Sequence, residues 1–211
     1  MDADVDAEEL PPPDEPLVLV LMGVAGCGKS TVAALLAGRL GWPFAEGDAL
    51  HPQANVVKMA AGHPLTDDDR APWLELVADW VQVRLDAGGS GILTCSALKR
   101  AYRRTIDRRG HGVLFVYLAG DQDTIAARLV VRQGHFMPAA LLASQFADLE
   151  EPGRDEPAIR VDIGPAPEQI AADIATRLAL PVNPDVVSEG DHRDPPAPAP
   201  LHPPGSGPAR R

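Results

Sequence analysis

The chain has 211 residues, of which 45% are hydrophobic, 23% charged and 4% aromatic, and it carries a net charge of −11. These proportions suit one compact domain with an aliphatic core and exclude fibrous or collagen-like architectures. Its charge is concentrated at the ends: the two tails hold eleven of the thirty acids but three of the nineteen lysines and arginines, so the body sits near −3 and offers no broad basic face for nucleic acid.

The chain opens on Met1-Asp2-Ala3-Asp4-Val5-Asp6, acidic where a secretory signal is basic and then apolar, followed by Pro11-Pro12-Pro13. From Pro181 to Arg211 there are nine prolines. Segments of this composition bury too little apolar surface to offset their ordering entropy. Residues 1–15 and 183–211 are therefore expected to be disordered tails around a single domain at 16–182. The apolar run Leu17 to Met22 is far short of the ~20 residues that a membrane helix needs. Two cysteines, Cys27 and Cys95, are too few for a disulfide framework and lack zinc-ligand spacing. A cytoplasmic protein that binds neither membrane nor nucleic acid is expected.

Between the tails, short apolar runs alternate with helical patterns. Strands are expected at Leu17 to Met22, Phe44 to Glu46, Gly91 to Cys95, Val113 to Leu118 and Ile159 to Ile163. Helical spacing recurs in Ile125 and Leu129, in Leu141, Leu142 and Phe146, and in Ile170, Ile174 and Leu178. This alternation predicts an α/β three-layer sandwich: a five-stranded parallel sheet, built from right-handed crossovers, with helices on both faces.

The first strand runs into Gly23-Val24-Ala25-Gly26-Cys27-Gly28-Lys29-Ser30-Thr31, and Val32 to Leu40 then reads as a helix. This is G-x-x-x-x-G-K-[ST] in strand–loop–helix context, a phosphate cradle of the P-loop type. Glycines let the backbone N–H groups close on phosphate, and the following helix adds its positive end. Lys29 is expected to reach the β- and γ-phosphates of a nucleoside triphosphate, and the Ser30 hydroxyl to hold Mg²⁺. A dinucleotide fingerprint fails because Thr31 stands where its third glycine belongs. Cys27 reads as a small loop filler, with an oxidation-sensitive thiol as the alternative.

In such sheets ligands gather at the carboxyl ends of the strands. Asp48, just beyond the second strand, is placed to orient or deprotonate an attacking hydroxyl; the alternative is a helix N-cap. Asp67, Asp68 and Asp69 suit a helix start. Arg70 suits bidentate capture of a carboxylate, with a plain ion pair as the alternative. Lys99 and Arg103, four apart beyond the third strand, are expected on one helix face as a cationic patch, or as a solvated basic face. Arg128 and Arg132, again four apart, precede a turn around Gly134. They are expected to serve a lid at about 128–138 that covers the transferring phosphoryl group. With short loops and no guanine-reading motif, the chain reads as a small kinase.

The motifs G-V-A-G-C-G-K-S-T, E-G-D-x-x-H-P-x-x-N-x-x-K-M, G-x-P-L-x-D-x-D-R-x-P-W-L, C-S-A-L-K-R-x-Y-R and H-F-M-P-x-x-L-L-x-S-Q-F-x-x-L-E-E-P follow in order from Gly23 to Pro152, within a likeness that covers about residues 17 to 180. Together they resemble the small gluconokinases, which are P-loop kinases related to shikimate and nucleoside monophosphate kinases. The resemblance implies ATP- and Mg²⁺-dependent phosphorylation of D-gluconate on its 6-hydroxyl, and a homodimer. A P-loop kinase for another small anionic acceptor, of the shikimate or nucleoside monophosphate type, is the alternative. By resemblance, Gly23 to Thr31 hold ATP, Asp48 faces the reactive hydroxyl, and Arg128 and Arg132 serve the lid. His51, Lys58, Arg70, Lys99, Arg103 and Gln145 become candidates for the polyol chain and its carboxylate. Ala25 and Cys27 stand where this family commonly has serine, and Thr66 where it has asparagine.

Overall fold

The computed structural model describes residues 15–131 and 139–181. The expected tails, but for residue 15, lie outside the described residues, as do positions 132–138 of the expected lid. Five strands form one sheet: β1 (Val18–Met22), β2 (Phe44–Glu46), β3 (Gly91–Thr94), β4 (Val113–Ala119) and β5 (Ala158–Asp162). Every pairing is parallel and the spatial order is β2-β3-β1-β4-β5. The sheet is the expected one, with strand ends shifted by a residue at β1, β3, β4 and β5.

Among the described residues seven α-helices follow in chain order: α1 (Lys29–Leu40), α2 (Gln53–Ala60), α3 (Asp67–Asp86), α4 (Arg100–Ile106), α5 (Gln122–Val131), α6 (Ala139–Asp148) and α7 (Pro167–Arg177). Alternation along the central strand divides the core. Leu19 and Leu21 face one side, with Leu36 of α1 and Ile170 and Ile174 of α7. Val18, Val20 and Met22 face the other, with Trp73 and Val77 of α3 and Ile106 of α4. All five β1 side chains are buried, which is why β1 reads as an unbroken apolar run. No described helix is long and apolar enough to cross a membrane.

Because β3 and β4 flank β1 while their connections leave in opposite directions, a crevice opens beyond the carboxyl end of β1. Two glycines fix its walls. Gly23 has φ +134°, and a Cβ there would stand 2.9 Å from the Leu118 carbonyl oxygen. At Gly47, just after β2, a Cβ would stand 2.2 Å from Thr94 O, so only glycine lets the two strand ends close up.

Candidate functional site

α1 begins at Lys29, directly after Gly28 in a left-handed conformation, so the helix starts three residues earlier than the sequence suggests and aims its first N–H groups into the crevice. Lys29 Nζ donates to the carbonyls of Gly23 (3.0 Å) and Val24 (3.1 Å), which keeps the ammonium inside the loop's curve. Ser30 is exposed at the same helix end. The Ala25 N–H donates to Gln145 Oε1 of α6 at 2.7 Å, tying loop to helix across 120 positions of sequence. Cys27 is 1% exposed and packs in the core beneath the loop, which removes the physical basis for a reactive thiol there.

Ala25, Lys29 and Gln145 line a cleft of about 880 Å³ whose far wall carries Asp48, His51, Arg70 and Trp73. Its volume suits a nucleotide phosphate tail together with a small second ligand. Asp48 lies in the one-turn 3₁₀ segment Gly47–Leu50, and Pro52 rather than Asp48 is the N-cap of α2. Among the described residues no hydrogen bond or ion pair engages the Asp48 carboxylate, so it enters the cleft free to accept. His51 stacks on Trp73, ring centroids 4.1 Å apart and 15° from coplanar. Trp73 in turn donates Nε1–H to Gly47 O at 2.7 Å. Burial holds the His51 pKa below its usual value, with Asp48 opposing and Arg70 assisting. His51 is therefore neutral at pH 7 and available as a hydrogen-bonding partner.

The cationic end of the cleft is braced from behind. Arg70, its side chain 14% exposed, donates to Tyr102 Oη at 3.0 Å and lies 3.4 Å from Asp148 and 3.5 Å from Asp67. Lys99 Nζ bonds both Asp67 oxygens, at 2.8 and 3.0 Å, and lies 3.8 Å from Asp148. Hydrogen bonds from Lys99 and Tyr102 hold the Asp67 carboxyl below its ordinary pKa. Asp67 therefore anchors cations and does not cap α3. That cap is Thr66, in a reciprocal box with Asp69.

Matches to known proteins cover this same part of the chain. An AAA-domain family model matches residues 18–152. A gluconokinase from Gluconobacter oxydans is 57% identical over 147 residues, covering 70% of this chain and 83% of the relative. The chain belongs to the gluconokinase family. Two solved structures agree with that placement: a gluconokinase from Sinorhizobium meliloti (42% identity, TM-score 0.71, 78% of this chain and 92% of that one) and an unliganded sugar kinase from Janibacter (45% identity, TM-score 0.73, 81% and 98%).

Within this gluconokinase fold the predicted site residues divide. Lys29, Asp48, His51, Arg70 and Gln145 share the cleft. Lys58 is drawn to Asp69 at 2.5 Å, where its hydrogen bond and that of Thr66 depress the Asp69 pKa, and it does not line the cleft. Lys99 stands at the N-cap position of α4 in an extended conformation and makes no side-chain cap bond there. Arg103 departs furthest from expectation. It is 2% exposed, donates Nε and NH2 to the two Glu156 oxygens at 2.6 and 2.9 Å, and sends NH1 to the carbonyls of Ala97, Leu98 and Glu150. The expected Lys99–Arg103 patch on one helix face does not form, because Lys99 precedes the helix and Arg103 turns into the protein. Arg128 donates NH2 to Ile163 O at 2.6 Å, and Arg132 lies outside the described residues. Sequence reasoning gave no site role to Trp73, Tyr102 or Asp148. An apolar-face tryptophan and tyrosine read as core, and nothing local marks Asp148 as a partner of Arg70.

Proposed function

We propose that the chain is a gluconate kinase, transferring the γ-phosphoryl group of ATP to the 6-hydroxyl of D-gluconate to give 6-phospho-D-gluconate and ADP. The observation that carries this is the single cleft in which an unengaged carboxylate, Asp48, and a braced guanidinium, Arg70, face the glycine loop with its lysine. The substrate's two ends call for that layout: an anionic carboxylate for Arg70 and a terminal hydroxyl for Asp48. The loop N–H groups and Lys29 bind the phosphates and offset charge as it shifts to the leaving ADP. Asp48 accepts a hydrogen bond from the 6-hydroxyl, aims its oxygen at the γ-phosphorus, and takes up the proton as the P–O bond forms. Neutral His51, held flat against Trp73, positions the polyol chain.

Mg²⁺ is proposed to arrive with ATP and screen its phosphates. Ser30 Oγ, exposed at the start of α1, fits as its protein ligand, and no cluster of three or more His, Cys, Asp or Glu suited to a metal occurs among the described residues. Arg128 and Arg132 are proposed on sequence spacing alone as further cations for the phosphoryl group, and pairing into a homodimer rests on family membership.

The test is ADP release by purified protein with ATP, Mg²⁺ and a panel of acceptors. Turnover is expected with D-gluconate alone. Turnover driven by shikimate or a nucleoside monophosphate instead, or by no acceptor at all, rejects the proposal.

A further inference from the structure

Among the described residues, three of α6 line the cleft: Leu141, Ser144 and Gln145. Leu141 offers only carbon, and Ser144 turns its hydroxyl proton back to Leu141 O at 2.9 Å. Gln145 is thus the residue through which α6 presents polar hydrogens to the cleft. Its orientation is fixed by chemistry. The Ala25 N–H can meet only the carbonyl oxygen of the side-chain amide, so the NH2 group points away from the loop backbone. Nε2 has no protein partner among the described residues, yet it is not a buried unsatisfied atom; it opens on the cleft.

Ala25 is the third residue of the glycine loop, whose N–H groups ordinarily converge on phosphate. Here that N–H is already taken by Oε1, and the carboxamide carries two replacement donors on a residue that lines the cleft. We propose that Gln145 completes the phosphate cradle from the acceptor side, with Oε1 fixing the Ala25 N–H and Nε2 donating to the terminal phosphoryl group of the bound nucleoside triphosphate. The proposal rests on the reading of the cleft as an ATP site. It makes Gln145 a sensor of the γ-phosphoryl group and removes it from the set of gluconate ligands.

Nucleotide binding without any acceptor tests this directly. Gln145→Glu keeps an oxygen for Ala25 but replaces both donors with negative charge; Gln145→Ala removes both interactions. Calorimetric titration with ADP and with the β,γ-imido analogue of ATP is expected to show the analogue weakened about tenfold or more in Gln145→Glu, since a hydrogen bond to a charged group is lost, while ADP stays within about twofold. Gln145→Ala is expected to shift the same way by less. In turnover, kcat falls and KM for gluconate stays within about twofold. Equal weakening of ADP and analogue makes Gln145 only a brace for the loop. An unchanged analogue affinity with a raised gluconate KM makes it an acceptor ligand. Either result overturns the proposal, as does no change at all. If the wild type fails to phosphorylate gluconate, the acceptor assignment falls, yet the ADP-versus-analogue comparison still decides the role of Gln145.

Discussion

Replacing Arg103 with alanine separates the role that spacing suggests from the one that packing assigns. A substrate ligand would cost KM; a buried strut would cost stability. Arg103 is 2% exposed and its partner Glu156 8%, and the guanidinium satisfies both carboxylate oxygens and three carbonyls. Burial pushes the Glu156 carboxyl up, but hydrogen bonds from Arg103 and the Gly153 N–H outweigh it and the net shift is downward, so Glu156 is a carboxylate at neutral pH. One of the carbonyls belongs to Ala97, a non-glycine residue at φ 43° whose left-handed turn costs about 1–2 kcal/mol and needs holding. Removing one member of a buried pair typically costs about 3–5 kcal/mol, a large share of the about 5–15 kcal/mol that keeps a domain folded. At about 2–4 °C per kcal/mol for a chain of this size, Tm falls by about 6–20 °C. Thermal unfolding by circular dichroism, with gluconate kinetics alongside, measures both quantities. Arg103→Met with Glu156→Leu is expected to recover part of the loss, because a matched apolar pair leaves no buried charge. A Tm drop under about 3 °C accompanied by a raised gluconate KM would refute the strut and return Arg103 to the substrate.

Lys29→Ala removes the ammonium held inside the loop, and kcat is expected to fall by about 10²–10³-fold; turnover near wild type in a steady-state assay removes Lys29 from the chemistry. Arg70→Ala deletes the one guanidinium among the described residues of the cleft lining and is expected to raise KM for gluconate about 10–100-fold, with Arg70→Lys recovering little because Tyr102 and Asp148 are spaced for a planar fork; an unchanged KM leaves Arg70 a plain ion-pair residue. Cys27 and Cys95 are each 1% exposed, and burial pushes the Cys95 thiol up to about 12. Neither is expected to react with Ellman's reagent until the protein is unfolded, and rapid labelling with loss of activity would contradict their burial.

The three central strands of the sheet were legible because they are short, apolar and buried on both faces, so composition separates them from the helices. The glycine loop was legible because its spacing is dictated by phosphate geometry. The acceptor end was harder. Arg70, Lys99 and Arg103 are alike in sequence, and i,i+4 spacing says that two residues share a helix face without saying where the helix begins. Here it begins at Arg100, which places Lys99 off the helix and rotates Arg103 inward. The carboxylates that separate these cations, Asp148 and Glu156, come from α6 and the segment before β5, and only the folded sheet brings them to α3 and α4. Long-range pairing of this kind leaves no local signal.

That pairing also decides how the cleft recognises an anion. Arg70 and Lys99 bring two positive charges, while Asp67 and Asp148 bring two negative ones within 4 Å, so as a set the four are neutral. In a body already near −3, the acceptor carboxylate is not gathered by a broad positive field. In the proposed reaction its recognition falls instead to Arg70, which lines the cleft and is braced by Tyr102 and Asp148. Selectivity then follows from geometry. In the proposed reaction an acceptor has to bring its carboxylate to Arg70 and its terminal hydroxyl to Asp48 at once, so acids of other chain lengths are expected to turn over more slowly.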